Sequence, residues 1–80
     1  MKYSVDVYIP GKEKYSGKFE GMSDKDASEK VVNNIYIHGC NGNSVSSIDI
    51  QEEIVTLKHG ENFLYWCDSV NGGYARVTAV

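Results

Sequence analysis

Four side chains, His38, Cys40, His59 and Cys67, have the chemistry to hold a soft metal ion or to pair a nucleophile with a base. A zinc site draws its ligands from two close pairs, and only His38-x-Cys40 is close; His59 and Cys67 lie across a turn and a strand. No third orienting group and no oxyanion-binding motif accompanies a Cys/His pair. The spacing therefore predicts neither a metal site nor a nucleophilic centre. Two cysteines are also too few for the disulfide framework of a small secreted domain, so Cys40 and Cys67 are expected as free thiols in a reducing cytosol.

Carboxylates come in two close sets. Glu52 and Glu53 are neighbours on an expected strand, where successive side chains point to opposite faces, and Asp24 with Asp26 sits at a helix start, where acids favour the macrodipole. Neither set implies general acid-base work. The glycines stand at turn positions and never form a phosphate-cradling loop followed by Lys-Ser or Lys-Thr, so no nucleotide or other cofactor is expected.

What remains for function is contact chemistry. Six tyrosines and one tryptophan occur in 80 residues, more large rings than a small core needs, although Tyr3 and Trp66 are expected inside. With Val5, Val7, Ile48, Ile50, Ala75 and Val77 facing a helix, Tyr8, Asp49, Tyr74 and Arg76 project from the opposite sheet face. Tyr65 joins them if Leu64 and Trp66 point inward. Tyr and Arg beside acids are typical of protein-binding patches, and the other reading is an ordinary solvated sheet face.

The formal net charge of -3 is unevenly placed. Residues 1–40 balance, whereas residues 41–80 carry Lys58 and Arg76 against Asp49, Glu52, Glu53, Glu61 and Asp68. That half repels nucleic acid, so direct nucleic-acid binding is not expected. It would instead attract a basic groove on a partner protein, or it serves only to keep the domain soluble. Asp49, Glu52, Glu53, Glu61 and Asp68, with Tyr65 and Tyr74, are the candidate partner-binding residues. The lysine loop at Lys12, Lys14 and Lys18 is the next surface in line.

These residues need elements to position them. An apolar fraction of 41% with one proline predicts a chain folded throughout, and its length permits one core and one domain, residues 1–80. Tyr3, Val5, Val7 and Ile9 alternate with polar residues as a half-buried strand, ended by Pro10-Gly11 and paired in a hairpin with a second strand over residues 15–21. Ser23 is a good N-cap, Asp26 stands in the capping-box place, and Met22 with Ala27 occupies the two ends of a hydrophobic staple. A helix is expected from Asp24 to His38, packing through Ala27, Val31 and Ile35 and ended by Gly39.

From Val45 to Leu57 the pattern reads as strand, with Gln51-Glu52-Glu53 as either a bulge or a tight turn. Residues 63–68 read as a strand covered in part on both faces, and Asn71-Gly72-Gly73 turns the chain into a last strand from Tyr74. The expected fold class is α+β: a mainly antiparallel sheet of four to six strands with one helix on one face, in the order ββα followed by a β meander. An acidic residue at position 6 interrupts any signal-peptide core, and no apolar run is long enough to span a membrane, so the chain is expected in the cytoplasm.

This plan resembles small phage-encoded anti-CRISPR proteins that act on type I surveillance complexes. The likeness rests on the short first strand, on Phe19-Glu20-Gly21-Met22-Ser23 leading into an Asp-Lys-Asp-Ala helix start, and on a meander ending in Trp66 and Tyr74. It covers nearly the whole chain as an overall plan without a specific motif, and the Ser-x-x-Asp-Ala start is shared with many small phage domains. The resemblance implies a non-enzymatic inhibitor that blocks a host protein or ribonucleoprotein complex by contact, as a monomer or small homo-oligomer in the host cytoplasm. The alternative is a small self-assembling or ligand-binding bacterial module.

Overall fold

The structure is a computed structural model that describes residues 2–40, 47–67 and 72–80. Its elements run β1 (Lys2–Tyr8), β2 (Tyr15–Glu20), α1 (Asp24–Ile37), α2 (Ser47–Val55), β3 (Asn62–Trp66) and β4 (Tyr74–Ala79). The strands form one sheet in the order β2-β1-β4-β3, antiparallel at every interface. The α+β class and the antiparallel sheet are as expected. The element order is not: two helices, not one, separate the two hairpins, and two strands follow them.

The β1–β2 hairpin forms because alternation gives β1 one apolar face and Pro10-Gly11 supplies a tight turn. The amide of Lys12 donates to Ile9 O at 3.0 Å, and Gly11 takes the positive φ of 86° that a side chain would resist. Tyr3, Val5, Val7 and Ile9 are all buried, and β4 answers with Ala75, Val77 and Ala79 on the same face.

Helix α1 starts as its sequence dictates. The Ser23 hydroxyl accepts from the Asp26 amide at 3.1 Å, and the Asp26 carboxylate reaches back to accept from the Met22 amide at 3.1 Å. The staple does not form, because Met22 is 99% exposed. Ala27, Val31 and Ile35 are buried with Val32 beside them, and the helix rests on β1 and β2. Its end is a Schellman turn: the Gly39 amide donates to Tyr36 O at 3.0 Å and the Cys40 amide to Ile35 O at 3.1 Å, with Gly39 at φ 91°.

The expected strand over residues 45–57 is overturned by α2. Ile50 and Ile54, four apart, bury together against the core, while Ile48 stays 65% exposed, so the apolar residues obey the helical period and not the period of two. Gln51-Glu52-Glu53, read as a break, is the middle of that helix, where straight-chain residues cost little. Helix α2 packs on α1, and Gln51 Nε2 donates to Lys25 O at 3.2 Å. The expected stretch at residues 45–46 and the Asn71 turn position lie outside the described residues.

Cys40 and Cys67 are not free thiols: they form a disulfide, with Cα atoms 4.9 Å apart. The Schellman turn delivers Cys40 to the buried interior, and β3 delivers Cys67 there from the opposite side. The bond closes a loop of sequence separation 27 that contains α2 and β3. Restricting the unfolded chain over such a loop stabilises by roughly 3 kcal/mol. A Cys40→Ala, Cys67→Ala double variant is therefore expected to unfold at clearly lower urea concentration than the oxidised parent, by about that free energy. Equal midpoints would show that the bond adds nothing to stability.

Candidate functional site

Because both helices lie on one face of the sheet, the other face is uncovered among the described residues. Register decides which side chains it carries. Ser4, Asp6 and Tyr8 of β1 lie opposite Thr78, Arg76 and Tyr74 of β4, which lie opposite Asn62, Leu64 and Trp66 of β3. On the far side, Ser16 Oγ donates to Asp6 Oδ1 at 2.6 Å. At one end of this face three rings stand in a row across three strands. Tyr8 and Tyr74 have centroids 5.7 Å apart, Tyr74 and Trp66 are 6.1 Å apart edge to face, and the Arg76 guanidinium sits 5.9 Å from the Tyr74 centroid.

Of the expected outward set of Tyr8, Asp49, Tyr74 and Arg76, the sheet face assembles Tyr8, Tyr74 and Arg76, whereas Asp49 lies on α2, and two rings of β3 are exchanged. Tyr65 is 4% exposed and points into the core opposite Ala75, whereas Trp66, expected inside, is 59% exposed on the outer face. The strand read as covered on both faces is an edge strand with only its Phe63 and Tyr65 side covered by the helical layer. The signal that separates the two rings is register with β4: Ala75, Val77 and Ala79 fix the inner phase, and the antiparallel partner of Ala75 must share it.

The candidate acids do not form one patch. Asp49, Glu52 and Glu53 share α2, not the sheet, and line a groove of about 560 Å³ with Ile50, Thr56 and Phe63. Glu61 is committed to the turn before β3, where its carboxylate accepts from the Lys58 amide at 2.7 Å. Asp68 lies outside the described residues. Lys12 and Lys14 sit in the β1–β2 turn region and Lys18 on β2, all exposed. His38 stacks on Tyr15, with ring centroids 3.6 Å apart, and His59 is exposed in a turn. The two thiols are consumed by their mutual bond and cannot serve as thiolates while it stands.

Tyr3 is an ionisable group inside the fold whose titration is perturbed. Tyr3 is fully buried, and burial, followed by the Asp24 carboxylate, pushes its hydroxyl above the ordinary tyrosine range. Among the described residues that hydroxyl has no hydrogen-bond partner. No protein-family profile, curated protein or solved structure matches this chain.

The orphaned hydroxyl generates a prediction. An unpaired buried polar atom costs about 1–3 kcal/mol, so Tyr3→Phe is expected to match or exceed the parent in stability at neutral pH. With its folded pKa raised, Tyr3 contributes stability that is complete below its unfolded value near 10 and is lost as pH rises through the folded value. The advantage of Tyr3→Phe over the parent, measured by urea unfolding, is therefore expected to widen above about pH 10. A constant difference across that range would contradict the assignment.

Proposed function

We propose that this chain is a non-catalytic binding protein that acts by covering a surface of a larger protein or ribonucleoprotein assembly with its outer sheet face. The observation that carries this reading is the row Tyr8, Tyr74 and Trp66 with Arg76 beside it. Trp, Tyr and Arg dominate the binding energy of protein interfaces because each brings a large, stiff contact area with a polar handle. A 59%-exposed Trp on an open sheet leaves much apolar area to be desolvated by a partner. An inhibitor of a host nucleic-acid-handling complex of the CRISPR type, working in the host cytoplasm by contact, is the specific form that fits the overall plan of the chain.

A second reading has its own observation. The Cys40–Cys67 disulfide favours an oxidising compartment, where such bonds persist, and so a small extracytoplasmic binding module. No helix among the described residues is long and apolar enough to cross a membrane.

Affinity capture with the tagged oxidised chain, run separately on bacterial cytosol and on a periplasmic extract, distinguishes the two readings by where a specific partner is retained. Replacing Tyr8 and Tyr74 by Ala is expected to leave the fold intact and to weaken that capture at least about tenfold, since truncating a hot-spot ring costs about 2 kcal/mol or more. Capture at full strength by this double variant would overturn the outer-face reading.

A further inference from the structure

The sheet has two edges, and they are treated differently. On β2 the edge carries Lys18 and Glu20, and Lys30 Nζ donates to the Glu20 carbonyl at 3.2 Å. Charges and a capped carbonyl are the usual means of discouraging a further strand. The edge strand β3 is Asn62-Phe63-Leu64-Tyr65-Trp66, without a charge or a proline.

The hydrogen-bond phase of β3 follows from its ends. The Cys67 amide donates to Gly73 O at 3.1 Å and the Ala79 amide to Glu61 O at 3.0 Å, so in the β3–β4 register Phe63 and Tyr65 exchange bonds with Val77 and Ala75. The N–H and C=O groups of Asn62, Leu64 and Trp66 then point away from β4. No strand among the described residues pairs with them. Beside this edge, on the inner side, lies the groove bounded by Phe63 and by Asp49, Ile50, Glu52, Glu53 and Thr56 of the α2 region. Among the described residues, three of its six walls are acids and none is basic.

We propose that the open edge of β3 and the acidic α2 groove together form a docking site for an extended basic segment of a partner protein, which adds to the sheet as a fifth strand. Main-chain bonds to Asn62, Leu64 and Trp66 would supply affinity, and the alternation of side chains would supply selectivity. Guest residues opposite Phe63 and Tyr65 point into the groove, where Lys or Arg meets Glu52 and Glu53. Those opposite Leu64 and Trp66 lie on the outer face, where apolar side chains gain contact. The segment recognised therefore alternates basic and apolar residues.

Charge disfavours a second copy of this chain as the occupant. Antiparallel pairing of two β3 edges about a twofold axis keeps both inner faces on one side of the joined sheet. That would bring the α2 acids of the two copies toward each other, a like-charge arrangement that costs affinity. A basic guest strand reverses the sign.

The test uses the oxidised chain and a short labelled peptide alternating lysine with valine, followed by fluorescence anisotropy at low salt. Saturable binding is expected, weakened at least about tenfold by the Glu52→Lys, Glu53→Lys pair and by added salt. A peptide alternating glutamate with valine is expected not to bind. Backbone N-methylation, which leaves the protein untouched, isolates the strand pairing: methyl groups on the amides facing β3 are expected to abolish binding, and methyl groups on the alternate amides to preserve it. Equal effects of the two methylation patterns, equal binding of the acidic peptide, or a concentration-dependent dimer in place of peptide binding would overturn the proposal. The Tyr8→Ala chain, altered on β1 and not beside the β3 edge, is expected to bind the peptide as the parent does while losing outer-face capture, so this site and the outer-face reading can fail independently.

Discussion

The arrangement of this molecule depends on a shortage of helix. Four strands present two faces, and helices of 14 and 9 residues, α1 and α2, are enough to cover one of them. The apolar residues of β1 and β4 are therefore spent on that face, and every second residue is left to water or to a partner. Burial on one side only also fixes register strongly, since a slip by one residue would exchange the entire core set for the solvent set. The row of rings on the outer face, the open β3 edge and the groove under α2 all follow from this single-sided layering.

Where the sequence carried redundant signals, the fold was legible in it. For α1, the N-cap Ser23, the reaching Asp26, the buried stripe through Ala27, Val31 and Ile35, and Gly39 at the end all agree, and the helix ends within a residue of its expected limit. The first hairpin was equally clear, from strict alternation followed by Pro10-Gly11. Helix α2 was not legible, because Ile48 and Ile50 mimic strand alternation and only Ile50 and Ile54 bury. With nine residues it offers little more than two turns to display a period, and its identity is decided by tertiary contact with α1.

The candidate site was legible in kind and partly misplaced in position. Tyr8, Tyr74 and Arg76 lie on the outer face because the phases of β1 and β4 are unambiguous. Strand β3 lacks such a marker: Phe63, Leu64, Tyr65 and Trp66 are all large and apolar, so either phase would bury two of them. Its phase is imposed by pairing with β4, a long-range property, and it sends Tyr65 inward and Trp66 outward. The acids Asp49, Glu52 and Glu53 were grouped on a sheet only because α2 was read as strand; on a helix they instead become one wall of a groove.

The disulfide gives this corner of the molecule its definition. Among the described residues this edge strand of five residues is held by one neighbouring strand, and its last residue, Trp66, would be the first to fray. Cys67 follows immediately and is bonded to Cys40, which the Schellman turn of α1 holds against the core. A covalent link to a capped helix end thus anchors an edge strand at the residue next to its exposed indole. An exposed ring is useful for recognition only if little freedom remains to be lost when a partner covers it. The bond between Cys40 and Cys67 removes that freedom in advance, tying the redox state of two buried sulfurs to the stiffness of the outer face.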